Sequence, residues 1–212
     1  MNLERIRLNL MERLWDPQPA YSKLRDRTIA VVYHWGASFH PKIGRVAKMN
    51  EMWRYYAWSL AAHSYNALVR FEILQTMPWE MSSGALGLDR WEDYPPETIK
   101  RFGVTSWANA PDRQVINVLM MEDDEEGRFS PDTIYNGQMI GAYLCASYQL
   151  DPLEDLERHT DITDKGIKPV DHRLYDPDER PCPRFYVEHE SLWDEFKLRV
   201  KEICVLAANG GL

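Results

Sequence analysis

Three residues combine side-chain type and local setting in a way that points to metal chemistry: His34, His159 and Cys182. The chain has six histidines, at 34, 40, 63, 159, 172 and 189. An isolated histidine is ordinarily structural, but His34 and His159 each follow a segment that reads as a strand end, where side chains reach the rim of a sheet. Cys182 lies in Arg-Pro-Cys-Pro, a stiff segment unsuited to a helix interior. The other two cysteines, Cys145 and Cys204, sit in apolar helical stretches and read as small buried hydrophobes. So sparse and odd a count is no disulfide framework. Two imidazoles and a thiolate, with a fourth position left to water, form a recognised catalytic zinc set. No short-spaced motif links the three, so only the fold can bring them together.

The elements that would do so are legible from periodicity. Residues 28–33 (TIAVVY) form a short β-branched run, expected as a buried strand ending at His34-Trp35-Gly36. Residues 115–121 (VINVLMM) are expected as a second apolar strand, and 65–74 (YNALVRFEIL) as a strand or hairpin. Helical spacing predicts helices over 3–15, closed by Pro17 and Pro19, and over 45–62. Ser130-Pro131-Asp132 starts a helix through Tyr148, with Pro in the first turn and an acid near the positive end of the dipole. Residues 190–207 form a closing helix. Residues 77–112, rich in Pro, Gly, Trp and Ser, read as a long irregular surface segment, and the acidic run from Glu122 to Glu126 as a turn. Residues 164–181 read as a polar loop. This alternation makes α/β with a central sheet the natural class.

Four stretches resemble the zinc N-acetylmuramoyl-L-alanine amidases, a family that includes phage endolysins and peptidoglycan recognition proteins. They are TIAVVYHWG, HSYNALVRFEILQTMPW, FSPDTIYNGQMIGAYLCASYQL, and RHTDIT followed after a loop by PCPRFYVEHESLWDEFKLRV. Their order and spacing match from about residue 25 onward. The resemblance implies a single domain over 25–212, a central mixed β-sheet flanked by helices, behind an N-terminal helical extension at 1–24. It implies a Zn2+ ion on His34, His159 and Cys182, with Asp171 as a reserve third ligand because other branches use Asp there. It also implies two catalytic helpers: Tyr65, and a cation for which Lys165 and Arg180 compete across the inserted loop. Arg180 would stay charged but would be the poorer proton donor. Many members carry a Glu on the strand assigned to 115–121; Leu119 stands there, and Glu122 is the nearest acid.

The expected activity is hydrolysis of the amide between N-acetylmuramic acid and L-alanine in peptidoglycan. The alternatives are an inactive peptidoglycan-binding module of the same fold and a zinc peptidase cutting within the stem peptide. Trp79, Trp91 and Trp107 are expected either to line the glycopeptide groove or to pin an irregular loop. With 44% apolar residues, eight Trp and eleven Tyr, the chain can build a substantial core. A net charge of −8 with no basic run speaks against nucleic acid as a partner. No stretch has the length of a membrane span, and the N-terminus lacks a signal-peptide core. The expectation is therefore a monomer with no membrane partner, made in a host cytoplasm and acting on the wall after release, as a phage endolysin does.

Overall fold

The two apolar runs lie side by side in the middle of a mixed sheet. The computed structural model describes residues 10–12, 27–35, 65–75, 77–83, 85–86, 90–124, 127–163 and 181–210. Six strands are described: β1 (Leu10–Glu12), β2 (Ala30–Trp35), β3 (Ala67–Val69), β4 (Ile73–Gln75), β5 (Val115–Met120) and β6 (Leu156–Arg158). Their order across the sheet is β1-β4-β3-β5-β2-β6. Only β3 and β4 pair antiparallel; every other neighbouring pair is parallel. All residues of β2 and β5 are buried, which is why both read as unbroken apolar runs rather than alternating ones.

Helices cover both faces. They are α1 (Pro96–Phe102), α2 (Pro131–Tyr148), α3 (His159–Thr163), α4 (Arg184–Glu188) and α5 (Glu190–Asn209). Ser130 caps α2 as its sequence signalled, accepting from the Thr133 N–H at 3.2 Å. Beneath α2 and α5 lies the larger core, where Val31, Tyr33, Ile116, Val118 and Met120 meet Trp193, Phe196 and Val200. On the opposite face Ala30, Val32 and Val115 pack with Leu86, Tyr94, Phe102, Val104 and Ile162. His34 and Asn117 continue this second face, because side chains alternate along each strand.

Two expectations are corrected. Leu10–Glu12, expected inside the N-terminal helix over 3–15, is a strand paired parallel to β4. The segment LNLME alternates as well as it spirals, and the open edge of β4 selects the strand. The segment 77–112 is not a surface loop either. Among its described residues are α1 and three 3-10 turns, and Trp79, Leu86, Tyr94, Phe102 and Val104 are buried. From Leu86 onward its described residues cover the second face, while Trp79 packs in the larger core. The expected helix over 45–62 and the loop 164–181 lie outside the described residues, apart from Pro181.

Candidate metal centre

β2 and β6 are neighbouring parallel strands, so their C-terminal ends open on one edge of the sheet. His34 is next to last on β2, and His159 follows β6 directly as the first residue of α3. Their rings lie 4.7 Å apart, centre to centre. Cys182 comes from the segment before α4 and is stitched to the residue after His159. Its N–H donates to Thr160 Oγ1 at 2.8 Å, and its carbonyl accepts from the Thr160 N–H at 3.0 Å. The Cys182 sulfur lies 3.9 Å from His34 Nδ1. One donor atom from each of the three lies within 4.8 Å of the other two.

This arrangement fits a tetrahedral metal. With bonds of about 2.0 Å to nitrogen and about 2.3 Å to sulfur, ligand atoms around zinc stand roughly 3.3–3.6 Å apart. Closing the observed separations to that spacing takes side-chain movements of about an ångström. Each histidine also has its other nitrogen occupied. His34 Nε2 is 2.8 Å from Asn117 Oδ1, and His159 Nε2 is 3.2 Å from the Leu86 carbonyl. The Leu86 carbonyl can only accept, so His159 carries its proton on Nε2 and keeps its Nδ1 lone pair free for a metal. The Leu86 segment is held in turn, its N–H donating to Asp112, whose other oxygen accepts from Tyr94.

The electrostatics suit neutral imidazoles. His34 is held well below the usual histidine range, first by burial, then by the neighbouring His159, against the opposing Asn117 hydrogen bond. Burial pushes the Cys182 thiol up to about 12; a hydrogen bond from the Trp35 backbone opposes this and the charge of Glu122 adds to it. A cation at the centre reverses that preference, because a coordinating thiol is deprotonated outright. Arg158, one residue before His159, braces the strand end. It grips Asp161 with two nitrogens at 2.8–2.9 Å, donates to the Tyr186 carbonyl at 3.0 Å and meets Glu190 at 3.1 Å.

Tyr65 stands beside the centre, its ring 5.0 Å from that of His34. Leu119 pairs directly with His34 and packs with Leu68, Met121 and Tyr65, so this strand position is apolar. The acid nearest in sequence is instead drawn inward. Glu122 is 2% exposed, and its charge is felt at the Cys182 sulfur. Reading it as part of an acidic turn missed this. Its place just after an apolar strand, ahead of the run Asp123-Asp124, was the available signal. Lys165, Arg180 and Asp171 lie outside the described residues. Of the tryptophans offered for a groove, Trp79 is buried in the larger core against Tyr143, Trp91 packs on the second-face cluster, and Trp107 is exposed. His189 ends α4 against Phe185, away from the cluster.

Comparisons with known proteins bear on this geometry. No known family profile matches the chain. Over 78 residues it is 31% identical to N-acetylmuramoyl-L-alanine amidase BlyA of Bacillus subtilis (strain 168), a match taking in 37% of this chain and 17% of that protein. Among solved structures, PlyL superposes with a TM-score of 0.57 at 16% identity, covering 90% of this chain and 96% of that one. The PlyG catalytic domain gives 0.58 at 16% identity, with 92% and 95% coverage. The hydrolase AmiA of Staphylococcus aureus gives 0.58 at 15% identity, with 96% and 86% coverage. By fold the chain is similar along most of its length to PlyL, the PlyG catalytic domain and AmiA, and over 78 residues its sequence is similar to part of an N-acetylmuramoyl-L-alanine amidase.

Proposed function

We propose that the chain is a zinc-dependent peptidoglycan amidase of the endolysin type, cleaving the amide between N-acetylmuramic acid and the L-alanine of the stem peptide. The observation that carries this reading is the convergence of His34, His159 and Cys182 at one sheet edge. Two nitrogens and one sulfur favour zinc over the oxygen-seeking magnesium or calcium. Zinc in such a set supplies a Lewis acid that polarises a carbonyl and lowers the pKa of water to about 7.

The chain's own groups do the rest. Glu122, buried just after β5 and carrying a charge that raises the Cys182 thiol, is assigned the part of the base, taking the proton of the attacking water on its carboxylate. It returns that proton to the leaving L-alanine nitrogen. Tyr65, beside His34, donates its hydroxyl proton as a hydrogen bond to the developing oxyanion. Lys165 or Arg180 would add a positive charge there.

Mass spectrometry of purified sacculi after digestion tests the reading. An amidase releases stem peptides with a free L-alanine amine and leaves glycan without peptide. A zinc peptidase leaves L-alanine on the lactyl group, and an inactive binding module releases nothing; either result defeats the proposal.

A further inference from the structure

Behind His34 runs a line of buried polar groups that the catalytic reading does not use. Asn66, Asn117 and His34 are at most 1% exposed, and so is Ser83. Polar groups so deep in an apolar layer are costly unless paired, and these are paired with one another. The next strand position on the same face, Leu119, is apolar, so packing alone does not ask for an asparagine here.

The direction of every hydrogen bond in this line follows from backbone groups whose polarity is fixed. The Asn117 N–H can only donate, and it meets the Asn66 side chain at 3.0 Å, so that atom is the amide oxygen. The other end of the Asn66 amide faces the carbonyls of Pro78 and Met81, at 3.3 and 2.9 Å, which can only accept. Asn66 is thereby oriented without ambiguity. Its oxygen also receives the Ser83 hydroxyl at 3.1 Å, which uses the single proton Ser83 has. Toward Asn117, 2.7 Å away, Ser83 is therefore an acceptor, and the group facing it is the Asn117 NH2. The Asn117 oxygen then points at His34 Nε2, 2.8 Å away, and can only be met there by an N–H.

We infer that Asn117, Ser83 and Asn66 are positioning residues that set the tautomer of His34. They hold the proton on Nε2 and leave the Nδ1 lone pair facing Cys182 and His159 before any metal arrives. An outer partner of this kind is worth about 10–100-fold in metal affinity. The tautomer assignment stands independently of the metal; its consequence for affinity rests on the zinc reading above.

The test begins with metal-free protein. Long-range proton–nitrogen NMR at neutral pH, with the ring signals assigned by their loss in His34→Gln, is expected to show His34 protonated on Nε2 alone. Protonation on Nδ1 overturns the inference. Competition with a chromophoric chelator then gives zinc affinity. Asn117→Leu is expected to lose about 10–100-fold, Ser83→Ala a smaller amount with mixed tautomers, and Asn117→Asp, which keeps the acceptor, to stay near the parent. Parental affinity in both Asn117→Leu and Ser83→Ala overturns it. If Asn117→Leu does not fold, the parent spectrum and Ser83→Ala still decide. A parent protein that shows the Nε2 tautomer but takes up no zinc supports the relay and defeats the zinc reading instead.

Discussion

At the scale of single residues, the centre depends on a thiol that its surroundings hold protonated and a cation would ionise. Replacing that sulfur while keeping the backbone separates coordination from folding. Cys182→Ser keeps the N–H and carbonyl that bind Thr160 and removes only the soft ligand. Stoichiometric zinc after dialysis, measured by elemental analysis, is expected to vanish while the circular dichroism spectrum stays native. Glu122 calls for the opposite separation. Glu122→Gln keeps the shape and removes the proposed base, so zinc content should be unchanged while cleavage falls by about 10²–10⁴-fold. A variant that loses zinc and activity together would make Glu122 a structural support of the centre. Strand ends and a Pro-flanked Cys made the histidines and Cys182 candidates, but it was the family resemblance that joined them into one ligand set. Asn117 left a weaker mark, a lone polar residue inside VINVLMM, and the Leu86 carbonyl left none because any residue carries one.

At the scale of elements, α2 reaches the sheet through small residues. Tyr33 donates from its hydroxyl to the Gly137 carbonyl at 2.9 Å and meets the stacked Trp193 and Phe196 rings edge-on. A Cβ on Gly141 would lie 2.5 Å from that hydroxyl oxygen, which has nowhere to go. Alanine in a helix gains up to about 1 kcal/mol over glycine. Overpacking a rigid core costs about 1–3 kcal/mol, so Gly141→Ala is expected to be net destabilising. The urea midpoint should fall with the slope unchanged. At Gly137 the added carbon meets the end of Met120 at 3.0 Å, a side chain that adapts, so Gly137→Ala should lose less. These elements were readable from periodicity and caps, since α2 has its Ser-Pro start and β2 and β5 their apolar runs. Strand Leu10–Glu12 was not readable, because three residues cannot display a period and only β4 decides their conformation. The layer 77–112 was hidden for a related reason. Its short turns are set by partners such as Asp112 and Asn109 rather than by any repeat.

At the scale of the whole molecule, His34 and the larger core lie on opposite sides of one sheet, and Cys182 packs against the edge of that core. Val31, Tyr33 and Trp35 point to the core beneath α2 and α5, while His34 points the other way. Nearly all of the core is therefore built without the ligands, unlike a zinc finger, whose fold is the metal site. Metal-free protein should keep its secondary structure and melt cooperatively. It should nevertheless melt lower, because zinc would tie together the ends of β2 and β6 and the segment before α4 in the folded state only. Binding of this kind adds about 4 kcal/mol at a thousandfold excess over Kd. For a domain of this size each kcal/mol moves Tm by about 2–4 °C, so the expected rise on adding zinc is roughly 8–16 °C. The rise should be absent in Cys182→Ser and reversed by a chelator in the parent. Scanning calorimetry with and without zinc measures it. A metal-free protein with no cooperative transition would mean that the second face cannot hold together without its ion.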